Sequence, residues 1–584
     1  MEAKPIKQKK YGSIRRFFQM LVKAPLPILW ILLYIGVSFA LTHVGVSATE
    51  YTAQLYSGNV DFVSVVVPFI LVSLVSLAIG SVSGLVNGVC TAFINRNLRR
   101  MVWRKAVRLP LSFYEANEPK ELISRVTTDT TVISQLTMQV FVPIITTAYA
   151  TFVLLRKIGT YDTALMLSLL AVLPVNVLIN FILGRLKFSV SDEVNKKNAE
   201  LTAGVAERTN NMLLIKTMGT EEKESGAGSK LMEASYKAGR KSVFISQLSL
   251  PVNTIAGALQ IVIIVLVGRG FYSKGSITLP EWIAYYGFAT QLTNTLTSYL
   301  GYWTSFKAAQ GATDRVANII DTPDEKTHEG ETAERLSGDI RFENVTFSYG
   351  EAPLFEGLDL TVPEGRITAL VGPSGSGKST ILNLVDRLYP IRGGRILFGG
   401  HDTAEYSLDS YRKSLTYVTQ ECVMYAGTLR DNLTQGVERE VTDAEIDAAC
   451  EAAGIIDYVN SLEDRYETAV GEGGASLSGG QRQRFTVARA LLKKPDFLML
   501  DEATAAMDIE GKDRVWNSIR EVMRGKTVVF VAHDAQTIKN ADHIIVLKDG
   551  KVDVSGDRDE ILATSDYCIE MMEQTSKKEG GSDE

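Results

Sequence analysis

The chain has 584 residues, of which 46% are hydrophobic and 22% are charged, and its net charge is −6. This length is too great for one domain and sufficient for two substantial ones. The small negative charge gives no indication of a nucleic-acid partner. The cysteines have neither CxxC nor metal-ligand spacing, so we expect them to be reduced and without a metal. They are Cys90, Cys422, Cys450 and Cys568.

The first 23 residues are basic. Residues 1–11 are rich in lysine, whereas residues 12–23 mix phenylalanine, methionine and leucine with cations. The second pattern is typical of an amphipathic helix that lies on a membrane surface. The uncharged run from Ala24 to Thr49 is too long for the apolar core of a cleaved signal peptide. We therefore predict a cytosolic basic tail followed by a surface helix.

Residues 24–320 contain six uncharged stretches that reach the roughly 20 apolar residues a transmembrane helix needs. They are Ala24–Thr49, Phe62–Asn95, Val132–Leu155, Thr163–Leu183, Ser242–Gly268 and Trp282–Phe306. Lysine and arginine follow the second, fourth and sixth stretches, which by the positive-inside rule puts those ends and both termini in the cytosol. The second stretch exceeds the bilayer thickness, so its helix should continue into the cytosol. The sequence thus predicts an all-α, six-helix membrane domain with long cytosolic helical extensions.

Polar side chains inside membrane spans are costly and are candidates for substrate contact, although most of them hydrogen-bond between helices. The amide and imidazole candidates are His43, Asn87, Asn176, Asn180, Asn253, Gln260, Gln291 and Asn294. The sixth span adds aromatic rings and hydroxyl groups, among them Tyr285, Tyr286, Tyr299, Tyr302 and Trp303.

Four cations lie near the outer ends of spans three and five, namely Arg156, Lys157, Arg269 and Lys274. They contradict the positive-inside trend. One interpretation is that their side chains extend to lipid headgroups. The alternative is a basic outward vestibule that favours an anionic group on the substrate.

Residues 321–338 are polar, contain turn-forming residues and show no apolar period, so we predict a linker there. Residues 339–574 are predicted to form a second domain, which opens with an alternating strand from Ile340. The tail, residues 575–584, is rich in lysine, glutamate and glycine and is predicted to be disordered.

The second domain contains a phosphate-binding loop between an apolar strand and a helix. Its residues are Gly372, Pro373, Ser374, Gly375, Ser376, Gly377, Lys378, Ser379 and Thr380. The glycines let backbone N–H groups turn around a phosphate, and the helix N-terminus adds favourable charge. Lys378 is predicted to reach the β- and γ-phosphates, and Ser379 to help hold Mg²⁺.

The apolar strand Phe497–Asp501 ends in two acids. Asp501 is predicted to hold Mg²⁺, directly or through water. Glu502 is placed to act as the general base toward an attacking water. The alternative function for this acid pair is to cap the following helix.

The segment Leu477, Ser478, Gly479, Gly480, Gln481 lies about a hundred residues after the phosphate loop and before the acid pair. This combination resembles the ABC ATPases, in which the LSGGQ signature of one subunit covers the ATP on the phosphate loop of another. With the upstream spans, nearly the whole chain resembles the exporter-type (type IV) ABC half-transporters. The implied fold is a six-helix transmembrane domain fused to an α/β P-loop nucleotide-binding domain.

The resemblance implies further roles by position. Tyr349 corresponds to the aromatic residue that stacks on adenine, and Gln420 to the glutamine that contacts Mg²⁺ or water. His533 corresponds to the histidine that contacts the γ-phosphate, and Asp508 closes the D-loop. The residues Gly471–Gly474 resemble the exporter-specific X-loop.

Two cytosolic segments resemble the family's intracellular loops, which end in short coupling helices. The first comprises Leu111–Asn117, Glu121–Arg125 and Asp129, and the second comprises Glu207–Lys216, Met218, Gly219 and Glu221. The alternative is plain solvated helix. The D-loop departs from the family pattern, because Ala505 and Met507 stand where serine and leucine are common. The lost hydroxyl group is expected to weaken communication between two ATP sites.

The resemblance implies an ATPase that uses ATP and Mg²⁺ to move a substrate across the cytoplasmic membrane. The partner is a second copy or another half-transporter. Export of an amphipathic drug, lipid or peptide is favoured. We expect no peptidase segment before the first span, which disfavours leader-cleaving peptide exporters. A siderophore-type importer and an ATP-gated channel or regulator are alternatives, whereas the spans exclude a soluble ABC ATPase that acts on nucleic acid.

Overall fold

The computed structural model describes residues 13–56, 62–117, 119–325, 327, 329–333, 335–505 and 507–580. They cluster into two compact units. Of the described residues, those within 13–107 and 119–322 form the helical unit, and those within 108–117 and 323–580 form the mixed unit. The predicted tail at residues 1–11 lies outside the described residues, as do the side chains of Asn176, Asn180, Asn253 and Trp303.

The first helices in chain order all belong to the helical unit, except α4, which belongs to the mixed unit. They are α1 (Ser13–Lys23), α2 (Ile28–Leu55), α3 (Val67–Ala106), α4 (Leu111–Ala116), α5 (Pro119–Ser124), α6 (Thr130–Leu136), α7 (Val142–Tyr161), α8 (Thr163–Asn210), α9 (Met212–Met218), α10 (Glu221–Ser273) and α11 (Leu279–Asp321). Short π-helical segments precede α3, α6 and α7, at Phe62–Val66, Arg125–Asp129 and Thr137–Phe141.

Three helical segments of the described residues are long and apolar enough to cross a membrane: Ile28–Leu55, Val63–Ala106 and Glu121–Tyr161. A shorter apolar stretch, Gly257–Ser273, lies in α10. The three remaining predicted spans fall within α8, α10 and α11. The first span begins only at Ile28, because prolines precede it and Pro27 forms the N-cap of α2. The second predicted span does continue beyond Asn95, since α3 ends at Ala106.

The helix predicted over residues 12–23 is present as α1, while its place on a membrane surface stays a prediction. Phe17, Met20 and Leu21 are buried on one side, while Val22 is exposed. The Phe17 ring stacks on Phe141, with 4.7 Å between the ring centroids. The apolar face of α1 is therefore packed within the helical unit.

The core of the helical unit joins α2, α7, α8, α10 and α11 through fully buried apolar side chains, including Leu154, Ile158, Leu165, Phe288 and Leu292. On the predicted cytosolic side, Arg315 of α11 makes two hydrogen bonds, of 2.6 and 2.8 Å, to the buried carboxylate of Asp129. This bidentate ion pair fixes the segment before α6 against α11.

The mixed unit contains strands β1 (Ile340–Phe347), β2 (Phe355–Val362), β3 (Ile367–Val371), β4 (Gly393–Phe398), β5 (His401–Asp402), β6 (Leu415–Val418), β7 (Gly427–Thr428), β8 (Ala469–Val470), β9 (Phe497–Asp501), β10 (Thr527–Val531), β11 (His543–Lys548) and β12 (Lys551–Asp557). Its other helices are α12 (Lys378–Val385), α13 (Leu408–Ser414), α14 (Leu429–Leu433), α15 (Asp443–Ala452), α16 (Ile456–Ser461), α17 (Gly479–Leu492), α18 (Ile509–Val522), α19 (Ala535–Ile538), α20 (Arg558–Thr564) and α21 (Asp566–Gly580). Short 3₁₀ turns lie at Thr403–Glu405, Arg465–Glu467 and Glu472–Gly474.

Two larger sheets organise the mixed unit. A six-stranded sheet has the order β12-β11-β3-β10-β9-β6, and a four-stranded sheet has the order β2-β1-β4-β5. In the six-stranded sheet β6, β9, β10, β3 and β11 are parallel. Strands β3, β9 and β10 are buried along their whole length, as expected for parallel strands covered on both faces.

The parallel register brings several strand ends to one edge. Val531 at the end of β10 pairs with both Leu370 of β3 and Asp501 of β9. In open α/β sheets, ligands bind outside the carboxyl ends of the strands. The phosphate loop after β3, the acids at the end of β9 and the residues after β10 and β6 all lie at this edge.

The tail differs from expectation. Helix α21 continues to Gly580, so the predicted start of the disordered tail at residue 575 falls inside a helix. Lysine and glutamate are good helix formers, and they extend a helix that begins at Asp566. Residues 581–584 lie outside the described residues.

Candidate functional site

The phosphate loop adopts a conformation that requires glycine at two positions. Gly372 has φ 148°, and a Cβ there would lie 2.1 Å from the Leu547 carbonyl oxygen. Gly377 has φ 98°, and its Cβ would lie 2.5 Å from the Phe355 ring. Both glycines therefore let the chain turn tightly between β3 and α12. The buried hydroxyl of Ser376 has no hydrogen-bond partner among the described residues.

Lys378 is the first residue of α12 and is only 5% exposed. Its ammonium group donates hydrogen bonds to the carbonyl oxygens of Gly372 and Pro373, at 2.8 and 2.9 Å. Burial lowers the pKa of Lys378, while the nearby carboxylates of Glu502 and Asp501 act in the opposite direction. The loop thus holds a cation at the N-terminus of a helix, an arrangement suited to a phosphate group.

Asp501 ends β9 and is 5% exposed. Burial raises the pKa of its carboxyl group, and hydrogen bonds from Ser379 and Tyr417 oppose that shift. The Tyr417 hydroxyl lies 3.3 Å from Asp501 Oδ2, whereas Oδ1 is buried without a partner among the described residues. A carboxylate oxygen left unpaired beside a serine hydroxyl matches the hard oxygen ligands that Mg²⁺ prefers.

Glu502 follows directly and has a left-handed backbone, with φ 52°. Its two carboxylate oxygens have different partners. Gln420 Nε2 donates to Oε2 at 3.0 Å, and His533 Nε2 lies 3.0 Å from Oε1. A non-glycine residue in this conformation costs about 1–3 kcal/mol and persists where the surroundings determine it, often at active sites.

Tyr349 follows β1 and is 52% exposed. Its hydroxyl lies 3.2 Å from Thr380 Oγ1 and accepts a hydrogen bond from Asn383 Nδ2 at 3.2 Å. The ring is therefore held beside the phosphate loop with its surface open to solvent. This arrangement suits a ring that stacks on a planar base.

The signature segment forms the N-terminus of α17. Ser478 and Gln481 make a capping box: the Ser478 hydroxyl accepts from the Gln481 N–H at 3.2 Å, and Gln481 Oε1 accepts from the Ser478 N–H at 2.8 Å. Ser478 and Gly479 are exposed. No hydrogen bond or ion pair of the described residues joins this segment to the phosphate loop of the same chain. The structure therefore presents the signature as a separate, solvent-facing helix terminus.

The D-loop lies between β9 and α18. Asp508 forms the N-cap of α18 and accepts a hydrogen bond from Arg484 Nη2 of α17 at 2.7 Å. Met507 is buried and Ala505 is exposed. The structure thus links the D-loop to the signature helix, while residue 506 lies outside the described residues.

The two predicted intracellular segments are observed as short helices. Helix α4 begins after Pro110, and its Phe113 is buried. Helix α9 ends at Met218, and the left-handed backbone of the following Gly219, with φ 61°, terminates it. Leu213 and Met218 of α9 are highly exposed.

Several polar candidates in the membrane helices have partners. His43 Nε2 of α2 lies 2.7 Å from the Tyr149 hydroxyl of α7, and Tyr149 also stacks on Phe39 at 3.8 Å. Gln260 of α10 donates to Thr293 of α11. These contacts confirm that polar groups in the spans hydrogen-bond between helices, yet His43 is also exposed.

One of the outer cations is paired. Lys157 Nζ lies 2.5 Å from Glu50 Oε1, and the Tyr161 hydroxyl donates to the same oxygen at 2.9 Å. Lys157 therefore has a carboxylate partner that neither the lipid nor the vestibule interpretation foresaw. Arg156 and Arg269 are exposed.

Comparison with known proteins matches both units. Residues 17–296 match the ABC transporter transmembrane region, and residues 355–505 match the ABC transporter domain. A fatty acid ABC transporter ATP-binding/permease protein of Mycobacterium tuberculosis is 30% identical over 475 residues, which cover 81% of this chain and 75% of that protein.

Two further similarities extend over nearly the whole chain. The serine protease/ABC transporter B family protein tagA of Dictyostelium discoideum is 30% identical over 94% of this chain, but the chain spans only 31% of that protein. The structure of a bacterial Atm1-family ABC exporter with ATP bound has a TM-score of 0.80 at 25% identity, covering 97% of this chain and 99% of that chain.

Helices of membrane-spanning length joined in one chain to a phosphate-loop domain define a membrane protein whose transport is coupled to ATP hydrolysis. The chain belongs to the ABC transporter family and is an exporter-type half-transporter, with a transmembrane region fused to an ATP-binding domain. Such half-transporters typically act as dimers. The predicted fold class and ATPase activity are thereby confirmed.

The structure adds residues that the sequence did not indicate. Tyr417 contacts Asp501, and Gln483 Nε2 of α17 donates to the Glu502 carbonyl oxygen at 3.3 Å. Tyr417 lies in β6, three positions before Gln420. Its closeness in sequence to Gln420 is a weak indication that it lies near the site. Gln483 follows the signature by two residues, and nothing in its sequence context points to Glu502.

Proposed function

We propose that two copies of this chain assemble into an exporter that binds two ATP molecules. Each ATP would lie between the phosphate loop of one subunit and the signature helix of the other. The observation that carries this proposal is that Ser478, at the capped N-terminus of α17, is exposed, and that no hydrogen bond or ion pair of the described residues joins it to Lys378. Glu502, His533 and the signature are all intact, so two identical subunits supply two complete sites.

Within each site, the proposed roles follow the contacts. Lys378 binds the β- and γ-phosphates, and the N–H groups from Gly375 to Thr380 surround them. Tyr349 stacks on adenine. Ser478, Gly479, Gly480 and Gln481 of the other subunit complete the site, with the α17 N-terminus directed at the γ-phosphate.

Hydrolysis is assigned to Glu502 as general base, which accepts a proton from the water that attacks the γ-phosphate. Gln420 and His533 hold its two carboxylate oxygens in the structure, and His533 also contacts the γ-phosphate in this assignment. Asp501, Ser379 and Gln420 would hold Mg²⁺. Bound there, Mg²⁺ neutralises charge on the phosphate oxygens.

For orientation, the positive-inside pattern supports a cytoplasmic-membrane protein with both termini and the ATPase domain in the cytosol. Helices α4 and α9 are the proposed coupling helices. The proposed domain boundaries are 24–320 for the membrane domain and 339–574 for the ATPase domain, with the linker 321–338 between them.

For substrate, we propose an amphipathic molecule such as a lipid, drug or peptide. The exposed His43 with Tyr149 and Phe39 places an imidazole, a phenol and an apolar ring together on α2 and α7. Such a surface suits a ligand with both a polar and an apolar part. One relative is named a fatty acid transporter, and a fatty acid is a molecule with a polar and an apolar part.

The direct test is Glu502→Gln in the full-length protein reconstituted in liposomes. Loss of the general base should lower ATP turnover by about 10²- to 10⁴-fold, while ATP remains bound and the dimer stays closed. Retained ATP is measured after rapid gel filtration. Normal turnover in this variant would show that Glu502 is not the base.

A further inference from the structure

Tyr389 lies in the turn after α12 and is 9% exposed. Its ring packs edge-on against Tyr349, with 5.0 Å between the centroids, and against Phe347 at 6.0 Å. Tyr349 is the exposed ring beside the phosphate loop. Tyr389 is therefore the buried neighbour of the proposed adenine-stacking residue.

The opposite end of Tyr389 reaches a distant part of the chain. Its hydroxyl donates a hydrogen bond to the carboxylate of Glu115 in α4. Burial, and then the adjacent Glu115 carboxylate, raise the pKa of Tyr389, so the phenol keeps its proton and remains a donor. A hydrogen bond from a neutral phenol to a carboxylate is charge-assisted and directional.

Helix α4 belongs to the same compact unit as Tyr389 and the phosphate loop. Phe113 of α4 is buried, and the carbonyl oxygen of Arg108, just before α4, accepts a hydrogen bond from the Glu325 N–H at 2.8 Å. The contacts of α4 thus hold it on the ATPase domain even though its chain neighbours belong to the helical unit.

These contacts form a continuous chain of side chains from Thr380 through Tyr349 and Tyr389 to Glu115. Thr380 follows the phosphate-binding residues directly. A base stacked on Tyr349 would restrict the motion of that ring and hence of the Tyr389 ring packed against its edge. The hydrogen bond from Tyr389 to Glu115 would carry this restriction to α4.

We propose that Tyr389 is a positioning residue that transmits ATP occupancy at Tyr349 to α4 through its hydrogen bond to Glu115. The proposal rests on the proposed function, in which Tyr349 contacts adenine and α4 is a coupling helix. The new element is the pair Tyr389 and Glu115, which connects the adenine site to α4. The test therefore measures how ATP binding changes α4 with and without this hydrogen bond.

The experiment is hydrogen–deuterium exchange on the full-length Glu502→Gln protein in lipid nanodiscs, with and without ATP and Mg²⁺. The peptide covering residues 108–117 reports on α4, and a peptide covering residues 372–380 reports on ATP binding. In this background ATP should slow exchange of both peptides several-fold. With Tyr389→Phe added, the ring is kept and the hydrogen bond is lost. Protection of the loop should persist, while the ATP-dependent protection of α4 falls at least threefold.

Glu115→Met, which removes the acceptor oxygen and keeps the side-chain length, should give the same loss. The double variant should be no worse than either single one, because both changes remove one interaction. The matched control is Tyr466→Phe. Tyr466 is 2% exposed and donates to the Asp447 carboxylate at 2.5 Å, far in sequence from α4. It should leave the ATP response of α4 unchanged.

The outcomes separate the two proposals. If ATP fails to protect the loop before Tyr389 is changed, the proposed ATP site is wrong. If the loop and α4 are both protected and Tyr389→Phe leaves the α4 response intact, the positioning role is wrong. Additive effects of Tyr389→Phe and Glu115→Met would also contradict it. Thermal unfolding of each variant checks that the domain is folded.

Discussion

At the scale of single residues, Glu502 shows how the fold constrains a reactive group. Its left-handed backbone is held from three directions, by Gln420 and His533 on the carboxylate and by Gln483 on the carbonyl oxygen. Gln420 follows β6, His533 follows β10, and Gln483 lies in α17, so the contacts come from two strand ends and one helix. They offset the conformational cost and aim the carboxylate at the edge of the sheet where the phosphate loop lies.

Asp501 differs from Glu502, because burial destabilises its ionised form when no cation is bound. We predict that Asp501→Asn raises the melting temperature without ligand by a few degrees, because the amide removes a buried negative charge, and leaving a buried group of this kind unsatisfied costs about 1–3 kcal/mol. The same change should abolish the extra stabilisation that Mg²⁺ gives to the ATP-bound protein. Differential scanning calorimetry with ATP alone and with ATP and Mg²⁺ measures both effects.

The pH dependence of this effect has a definite sign. The folded-state pKa of Asp501 is raised, so its contribution to stability is fully present below the unfolded pKa and is lost as pH rises through the folded pKa. The stability gain of Asp501→Asn should therefore be larger at pH 7.5 than at pH 4. A gain that grows toward acid pH would contradict this account of the carboxylate.

At the scale of elements, α17 packs apolar side chains into the core of the mixed unit, and its N-terminus carries the exposed signature residues. Its capping box satisfies backbone groups at the helix N-terminus, and removing the cap hydroxyl costs about 1 kcal/mol. Ser478→Ala should therefore lose this stability and also most of the ATPase activity, because Ser478 is the proposed contact to the other subunit's ATP. Steady-state ATP hydrolysis and thermal unfolding give the two readouts.

The control for that prediction is Thr442→Ala. Thr442 forms an equivalent capping box with Glu445 at the start of α15, outside the proposed ATP site. It should lose similar stability and keep its ATPase activity. Equal activity losses in the two variants would assign the effect of Ser478→Ala to folding alone.

The contact between α2 and α7 carries a prediction about substrate. His43→Leu removes the imidazole that contacts Tyr149, so it should change the stimulation of ATP hydrolysis by an amphipathic probe such as oleate in proteoliposomes. Basal hydrolysis and the KM for ATP should stay within twofold. The matched control is Thr42→Val. Among the described residues, the Thr42 hydroxyl donates within its own helix, to the Ser38 carbonyl oxygen at 3.0 Å. Stimulation that is unchanged by His43→Leu across several lipids and drugs would remove this surface from the proposed substrate site.

At the scale of the whole molecule, the sequence predicted the features that are formed by residues close together in the chain. The phosphate loop, the acid pair and the signature are each contiguous, and the strand–loop–helix context of Gly372 could be inferred directly. The apolar runs predicted long helices in the same places where α2, α3 and α7 are found. These features arise from spacing along the chain, which a single sequence displays.

What the sequence could not predict are contacts between distant segments. The Tyr389–Glu115 and Lys157–Glu50 pairs join residues 274 and 107 positions apart. Each is made by an ordinary polar residue in an ordinary helix or loop. The pairing follows from the packing of elements, which is decided by the whole fold. The charge pattern alone therefore did not predict Glu50 as a partner of Lys157.

The central claim is that a second subunit completes the ATP site, and cysteine cross-linking tests it most directly. All four native cysteines are buried, whereas Ser374 in the phosphate loop and Ser476 just before the signature are exposed. The protein would carry Ser374→Cys, Ser476→Cys and Glu502→Gln, and would be treated with a short bifunctional thiol reagent. We predict a covalent dimer only with ATP and Mg²⁺, and none when Lys378→Ala is added. A cross-link confined to single chains, or a protein that stays monomeric with ATP bound, would contradict the account.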